Sequence, residues 1–498
     1  MAHSRFVRTL PPLLVLFACL ACSDDPTQGP ADTDAWTDAS ADAWTDASAD
    51  ASADALSESR PDDGGNPPTD TPVPDATDAG HRDTPEDVPP QDLDGDDGSL
   101  DGGELDTAGD ADAGRDSGQW EQSGVGDFAL ADYAEAARLA TRFYGAQRCG
   151  DADNWLLTDN PHGDSCHLQD GPEHDPQLDL TGGWHDAGDY IKFTSTTAWT
   201  AYALLIGYEA FPAAYADQDG PSYGGVANGV PDVLDEVRVA TDYLLRVHPD
   251  PDTLIHRVGG DQDHDLWVTS PYQSTLSVAQ GGGQRPVFAG GRADVAGMTA
   301  AALAVAARVF REHDPDHAAA CLTTARSVYA LGRARTGTTP DGFYGDDDWQ
   351  DNMLAGAAEL HRTTGEVTYL EHAESYHAAV GRHYWVCGWD NPADLGRHAL
   401  ARAGHEGALA VWGEEVAAYA QRVSEQEYIR GMAWFHDWGS LAWASNAAFS
   451  AALYFKITGD ETARGLAISQ VDYVLGANEY GRSFLVGYGV NPPRRPHH

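Results

Sequence analysis

The chain has 498 residues and a formal net charge of −49. A protein this acidic repels the phosphate backbone, which argues against a nucleic-acid partner. No apolar run reaches the roughly 18–20 residues that a membrane-spanning helix requires, and the composition excludes collagen and coiled coils.

Residues 1–22 have the three-part form of a secretory signal peptide. Two arginines precede a short apolar stretch, and the chain turns polar directly after Cys22. A small residue followed by cysteine at this point resembles a bacterial lipobox, in which the cysteine takes a lipid chain. We expect an exported outer-membrane or cell-surface lipoprotein with Cys22 as the lipidated residue and Cys19 as the alternative. An ordinary signal peptide with incidental cysteines is the simpler interpretation.

Residues 23–120 are rich in Asp, Ala, Thr, Gly and Pro, with 28 acidic residues and three arginines. The octet DAWTDASA occurs at 34–41 and again at 42–49. Because bulky aliphatic residues are scarce, burial cannot offset the entropy of ordering this segment. The segment is predicted to be a disordered linker. Calcium binding by the repeats is the alternative, but their spacing fits neither an EF-hand nor an RTX loop.

Residues 121–498 predict one large domain of helices connected by irregular loops. Strand-like alternation is scarce, so we expect an all-α domain of about twelve helices whose long loops carry the chemistry. Apolar residues recur at helical spacing in the stretches Asp132–Tyr144, Thr196–Tyr208, Asp232–His248, Val295–Phe310, His317–Leu331, Gln350–Arg362, Thr368–His383, Glu414–Arg422, Leu441–Thr458 and Thr462–Leu475.

The segment Leu178–Tyr190 is the most informative part of the sequence. It places two carboxylates, Asp186 and Asp189, three residues apart in a glycine-rich stretch whose backbone can turn tightly. A close pair of carboxylates can hold a water molecule, with one as general base and the other orienting the water. Two aspartates that only cap a loop would leave the same pattern, so the spacing alone does not decide.

Four residues near this segment have the side chains of a tetrahedral zinc site. They are Cys149, Cys166, His167 and His185. In an exported protein, a disulfide between Cys149 and Cys166 is the alternative. Cys321 and Cys387 have no motif partner and are expected to be buried thiols or a disulfide.

Taken together, the motifs of this domain resemble glycoside hydrolase family 9, the cellulase family with an (α/α)6 barrel. These motifs follow the family's order and extend over essentially all of residues 121–498. Besides Leu178–Tyr190, they are Phe143–Gly150, Asn228–Glu236, Asp294–Ala301, Trp438–Leu441, Asn446–Phe449, Gln470–Asn478 and Val486–His498. The resemblance implies an (α/α)6 barrel with long active-site loops. It also implies inverting hydrolysis of internal β-1,4-glucosidic bonds in cellulose or related glucans.

The resemblance implies roles for individual residues as well. Asp189 matches the catalytic base, which takes a proton from the attacking water, and Asp186 matches the residue that positions this water. Sugar binding falls on aromatic and histidine side chains, because rings stack on the apolar faces of glucose. The matching positions are His264, Trp267, Tyr344, Trp438, Trp443 and His497. Core packing is the alternative for each tryptophan.

Two metals follow from the same resemblance. The four Cys/His positions match the ligands of a structural zinc found in some members of the family. For calcium, the loop that contains Asn228 and Asp235 offers oxygen ligands, although Asp232 and Asp235 also suit a helix start. Asp351 matches a family calcium ligand, but Asn352 replaces the carboxylate that commonly lies beside it.

The family's general acid is a glutamate beyond the Pro-His-His motif, and the sequence ends inside that motif at His498. We therefore expect either a fragment without the last barrel helix or a chain without its acid. An exo-acting β-glucan hydrolase and a non-catalytic glycan-binding lipoprotein are the alternatives. The expected partner is a β-1,4-glucan or a cello-oligosaccharide, bound by a monomer that reaches the membrane only through its lipid anchor.

Overall fold

The structure, a computed structural model, describes residues 130–494 apart from 152, 267, 281, 283, 284, 384 and 424–428. Nothing is described of the side chains of residues 130–132 and 278. The predicted signal peptide with Cys22, the predicted linker 23–120, Trp267 and His497 lie outside the described residues. Within that described part, no helix combines the length and the apolar character needed to cross a membrane.

Thirteen α-helices account for most of the described residues, which confirms the all-α prediction. In chain order, α1 to α13 are Leu130–Gln147, Thr194–Ala210, Asp232–Arg246, Asp261–Asp265, Ser270–Gln273, Ala293–Val309, Pro315–Ala334, Gln350–Thr364, Val367–Val380, Ala393–Arg402, Glu406–Arg422, Ser440–Thr458 and Glu461–Leu475. Short 3-10 helices lie at Trp155–Leu157, Pro212–Ala214 and Val278–Gln280.

Four of these helices differ from the sequence prediction. Helices α4, α5 and α10 were not predicted, and α11 begins at Glu406 rather than at Glu414. The first eight residues of α10 are buried although they include Asp394, Arg397 and His398. Polar residues inside the domain break the apolar periodicity by which helices are predicted, so α10 could not be identified from the pattern.

The long helices form two layers. Helices α2, α6, α8, α10 and α12 carry long runs of buried residues and contact one another in chain order. Each packs against the next long helix in the chain, α3, α7, α9, α11 and α13 respectively. In the described residues this gives five inner–outer pairs, and α1 packs against α3.

The inner helices can approach closely because small residues dominate their contacts. Helix α6 is rich in alanine. A Cβ atom on Gly297 would lie 2.5 Å from the backbone of Asn352, and one on Gly356 would lie 2.8 Å from the carbonyl oxygen of Gly297. Helices α6 and α8 therefore touch at backbone atoms, which fixes the start of α8 near the site described below.

A small antiparallel sheet organises one end of the domain. Its strands are β1 (Lys192–Phe193), β2 (Ile255–Val258) and β3 (Val287–Ala289), in the spatial order β1-β2-β3. Lys192 pairs with Val258, and Ile255 pairs with Ala289. Strand β1 follows the two candidate aspartates directly. The connection between β2 and β3, which contains α4 and α5, is thereby brought beside them.

Candidate active site

Asp186 is buried and held by two hydroxyl groups. The Thr196 hydroxyl donates to its Oδ1 at 2.9 Å, and the Tyr344 hydroxyl donates to its Oδ2. Its backbone N–H donates to the carbonyl oxygen of Ile191 at 2.9 Å. An ionised carboxylate only accepts hydrogen bonds, as expected of a group that orients a water through its hydrogens.

Asp189 is equally buried and pairs with a histidine. The Nδ1 atom of His264 lies 2.7 Å from Asp189 Oδ2, and the backbone N–H of Ile191 donates to Oδ1 at 3.3 Å. The His264 side chain is 29% exposed, against 2% for that of Asp189. The imidazole therefore shields one oxygen of the carboxylate from solvent and can stabilise its negative charge.

The backbone just before these two aspartates is fixed by contacts of Gly183 and Trp184 with buried side chains. Trp184 donates its indole N–H to Glu236 at 2.8 Å, and Arg148 forms a buried ion pair with the same carboxylate at 2.8 Å. Gly183 has a φ of +76°, and a Cβ atom there would lie 2.7 Å from the Tyr243 ring. Only glycine fits this turn, which sets the direction of the segment that carries both aspartates.

The predicted sugar-binding residues that the structure describes occupy different environments. Trp438 is 45% exposed and offers a flat ring face. Trp443 is buried, and its indole N–H donates to the carbonyl oxygen of Trp438 at 3.1 Å, so it supports Trp438. Tyr344 is buried and bonded to Asp186, a contact that the sequence did not predict. Sugar contact by these residues and by His264 stays a prediction.

Sequence reasoning missed other aromatic residues near these positions. The Trp385 ring lies 5.4 Å from that of Trp443, and the Trp389 ring lies 4.8 Å from that of Tyr344. Phe343 packs 5.4 Å from the His264 ring. The three aromatic residues within 384–389 could have indicated a sugar-binding surface. However, no spacing rule distinguishes aromatic residues that stack on sugar from those that pack in the core.

The four predicted zinc ligands meet at one point. Cys149 Sγ lies 3.8 Å from Cys166 Sγ and 3.5 Å from His167 Nδ1, and His185 Nε2 lies 3.3 Å from His167 Nδ1 and 3.8 Å from Cys166 Sγ. A tetrahedral zinc separates its ligand atoms by about 3.8 Å for two sulfurs, about 3.4 Å for two nitrogens and about 3.6 Å for a mixed pair. These four distances are compatible with this geometry, and all four ligand atoms lie within 4.8 Å of one another.

The chemistry of the cluster also suits a metal. Cys149 and Cys166 are free thiols, which rules out the alternative disulfide in this structure, and Cys321 and Cys387 are buried free thiols as well. The hydrogen bond with Cys149 is the main cause that lowers the pKa of Cys166 to about 7, toward the thiolate that binds metal. His167 has a φ of +51°, a strained conformation typical of functional positions.

A second group of potential ligands consists of oxygen atoms at the start of α8. The end of the Asn352 amide lies 3.1 Å from Asp346 Oδ2, Asp348 O and Asp351 Oδ1. The Oδ2 atom of Asp351 and the Oδ1 atom of Asp390 are buried without a hydrogen-bond partner. With the amide nitrogen at this point, its two hydrogens can serve only two of the three oxygens at one time. With the amide oxygen there instead, four oxygens would surround a cation.

The carboxyl groups of this acidic cluster repel one another. Burial and then the neighbouring carboxylates raise the pKa of Asp346 to about 9 and that of Asp351 well above its usual value. Burial raises the pKa of Asp390 to about 6. A bound cation would relieve this repulsion without protons.

The predicted calcium ligands Asn228 and Asp235 lie elsewhere and bond to each other. The amide nitrogen of Asn228 donates to both carboxylate oxygens of Asp235, at 3.0 and 3.2 Å, and its oxygen accepts from Val230 N at 2.8 Å. Asp217 accepts from the backbone of the same loop. The loop is satisfied by its own hydrogen bonds, and calcium binding there stays a prediction.

Comparison with curated proteins finds relatives named as endoglucanases. Endoglucanase B of Cellulomonas fimi is 33% identical over 74% of this chain, and Endoglucanase 4 of Bacillus sp. (strain KSM-522) is 32% identical over 74%. The chain spans only 36% and 59% of the lengths of these two relatives. Endoglucanase 15 of Arabidopsis thaliana is 30% identical, and the chain covers 78% of its length.

Solved cellulase structures share the fold. The cellulase Cel9M of C. cellulolyticum matches 74% of this chain and 84% of its own with a TM-score of 0.64 and 27% identity. The endoglucanase of the termite Nasutitermes takasagoensis matches 74% of this chain and 82% of its own with a TM-score of 0.62 and 31% identity. Their (α/α)6 barrel accounts for the inner and outer layers of helices. Because the profile of Glycosyl hydrolase family 9 also matches residues 133–498, the chain belongs to that family.

Proposed function

We propose that this domain hydrolyses internal β-1,4-glucosidic bonds of cellulose or related glucans with inversion at the anomeric carbon. The observation that carries the proposal is the pair of buried carboxylates, Asp186 and Asp189, whose oxygens are fixed in position by hydrogen bonds to protein groups. Their positions in the sequence match the family pattern, and the relatives found are named as endoglucanases.

In this proposal Asp189 takes a proton from a water molecule while the water oxygen bonds to the anomeric carbon. Asp186 accepts a hydrogen bond from the same water and fixes its direction. The contact between His264 and Asp189 holds the carboxylate in position for this step. The departing oxygen needs a proton from a general acid about 6.5–9.5 Å from the base, which we do not assign to a described residue.

The glucan would lie on exposed aromatic faces. Trp438 offers such a face, and the hydrogen bond from Trp443 to its backbone carbonyl oxygen helps to hold Trp438 in place. Stacking on glucose and hydrogen bonding to its hydroxyl groups would together select a neutral polymer.

Both metals would be structural. Zinc fits the Cys/His cluster, where the four ligand atoms all lie within 4.8 Å of one another. Calcium fits the acidic cluster of Asp346, Asp348, Asp351 and Asp390 better than the loop of Asn228, because two of its carboxylate oxygens, Asp351 Oδ2 and Asp390 Oδ1, are buried without a hydrogen-bond partner. Zinc bound to His185 would restrain the backbone next to Asp186, because the two residues are neighbours in the chain. Calcium would neutralise the negative charge of the acidic cluster.

Export and lipid anchoring at Cys22 belong to the same proposal, since cellulose lies outside the cell. The sequence pattern supports it. Expression of the full chain with radiolabelled palmitate should label the wild-type protein and not a Cys22→Ser variant. Equal labelling of the two proteins would contradict Cys22 as the anchor.

The experiment that tests the chemistry uses 2,4-dinitrophenyl β-cellobioside. Its leaving group departs without a proton, so hydrolysis depends on Asp189 and Asp186 and not on a general acid. We expect proton NMR to show α-cellobiose as the first product. Asp189→Asn should lower kcat/KM by about 10²–10⁴-fold, because it removes the base.

Asp179→Asn is the matched control, since this aspartate lies in the same segment but is exposed. It should keep the wild-type rate. Initial release of the β-anomer, or equal rates for wild type and Asp189→Asn, would contradict the assigned base. Tight binding of cellohexaose by a folded protein that never releases dinitrophenol would favour the glycan-binding alternative.

A further inference from the structure

A buried side-chain amide lies between the Cys/His cluster and the segment that contains His264. Gln273, at the end of α5, is 2% exposed. Its Oε1 lies 2.6 Å from His167 Nε2, and its Nε2 donates to Asp263 Oδ1 at 2.8 Å. Because a carboxylate only accepts, the amide nitrogen faces Asp263 and the amide oxygen faces the imidazole.

This orientation fixes the tautomer of His167. An amide oxygen accepts only, so Nε2 of His167 carries the hydrogen and Nδ1 has a free lone pair. Nδ1 is the atom that points at Cys149 and His185. Arg285 Nη1 lies 3.5 Å from the same Nε2 but is directed at Asp263 Oδ1, 2.9 Å away. Gln273 thus holds His167 in the form that binds a metal.

The other end of the amide reaches the candidate base through Asp263. This residue immediately precedes His264, which contacts Asp189 at 2.7 Å. The carbonyl oxygen of Asp263 accepts from the backbone N–H of Tyr190, the residue after Asp189, at 3.1 Å. The position of Asp263 therefore sets both members of the His264–Asp189 pair.

Arg285 connects Asp263 to the segment that contains Asp189 through buried ion pairs and hydrogen bonds. Its guanidinium pairs with Asp170 and Asp263, each at 2.9 Å, and donates to the carbonyl oxygen of Tyr190 at 2.6 Å. Lys192 pairs with Asp170 at 2.8 Å, and all four charged side chains are almost completely buried. Buried ion pairs of this kind tolerate little displacement, because an unpaired buried charge is costly.

We propose that Gln273 is a positioning residue that couples metal binding at the Cys/His cluster to the geometry of the His264–Asp189 pair. The route runs from His167 through Gln273 and Asp263 to His264. It is separate from the direct chain connection between His185 and Asp186. The inference rests on the proposed function only for the role of Asp189 as base.

The test is NMR of the full chain labelled uniformly with ¹⁵N, with zinc as the probe. His264→Asn identifies the His264 ring signals. In the wild-type protein, removal of zinc should shift these signals. In Gln273→Leu, that shift should fall at least about threefold, and zinc affinity should fall about 10–100-fold. The zinc-dependent shift of the Ala187 amide should persist, because it depends on the connection through His185.

Gln273→Glu separates the two halves of the route. Its carboxylate still accepts from His167 but repels Asp263. Zinc affinity should therefore stay within about threefold of wild type while the response at His264 is lost. This variant also serves if Gln273→Leu does not fold.

Gln470→Leu is the matched control. Gln470 is also a completely buried amide, but it bonds to the backbone at Ala433 and Gly431 and contacts neither cluster. This variant should keep the zinc response at His264. An unchanged response in both Gln273 variants, or an equal loss in Gln470→Leu, would overturn the proposal. None of these measurements requires turnover, so failure of the proposed hydrolysis is detected separately.

Discussion

The two candidate metal centres lie on either side of the candidate catalytic segment, but they differ in how their side chains can be satisfied without a metal. His185 of the Cys/His cluster precedes Asp186, and Tyr344, which donates to Asp186, leads into Asp346 of the acidic cluster. Thiols and imidazoles both donate and accept, so the Cys/His cluster can satisfy itself. Carboxylates only accept, so the acidic cluster needs protons or a cation.

This difference shows that two sites for structural metals need not respond alike to metal removal. The first should keep its geometry and lose a cross-link. The second should take up protons, as the raised pKa values of Asp346 and Asp390 indicate. Four predictions test this distinction, in order of decreasing effect.

The largest effect is expected for Cys149→Ser, because zinc binds a thiolate far better than a hydroxyl group. At a free zinc concentration of 1,000 times Kd, binding should stabilise the wild-type protein by about 4 kcal/mol. The variant should lose this gain. Urea unfolding in zinc buffers measures it, and Cys321→Ser, also a buried free thiol, is the control. A variant that zinc still stabilises would contradict the assigned ligand.

Calcium should stabilise the protein more at about pH 8 than at about pH 5. The pKa of Asp346 rises from 3.8 to about 9 on folding, so between these values the folded state binds more protons. Stability without calcium therefore falls as pH rises through this window. Calcium replaces the protons and should restore about 2.7 kcal/mol at 100 times Kd. Thermal unfolding in a pH series measures it, and equal calcium effects at both pH values would be inconsistent with the acidic cluster as the site.

Asp351→Asn should act in opposite directions with and without calcium. It removes one carboxylate from a repelling group, so the calcium-free protein near pH 8 should gain about 1 kcal/mol. The same change removes a ligand and should abolish the response to calcium. Differential scanning calorimetry with calcium or chelator shows both effects. A loss of stability in chelator would mean that Asp351 is not repelled by its neighbours.

The smallest effect is expected for Asn228→Ala. Its bonds to Asp235 lie at the surface, so the free energy of unfolding should change by about 0.5 kcal/mol or less. The response to calcium should be that of the wild type. Isothermal titration with calcium provides the measurement. A variant that no longer binds calcium would return the site to the loop that the sequence suggested.

The parts of the site that could be predicted from sequence are those whose chemistry is local or carried by a motif. Asp186 and Asp189 lie in one short segment, and the four Cys/His ligands could be named because thiol and imidazole are characteristic of zinc. The convergence of those four side chains in the structure agrees with that prediction. The all-α class followed from helical periodicity in most of the long helices.

The residues that could not be predicted act through contacts far apart in sequence. Gln273 lies 106 residues from His167, and Arg285 lies 115 residues from Asp170. A single glutamine or arginine in a loop has no pattern that reveals such a partner. Helix α10 was missed for a related reason, because its buried Asp394 and Arg397 pair with Ser450 and Glu415, which lie far away in the sequence.

The backbone contact of Gly297 with Asn352 limits how this enzyme family member can be re-engineered. Two helices that already touch at backbone atoms have no room for a side chain between them, so a larger residue at Gly297 or Gly356 would push α6 and α8 apart. A change of polysaccharide preference is therefore better sought in the loops. A mutagenesis library for this purpose should vary the exposed residues 436–438 and keep both glycines of the α6–α8 contact fixed.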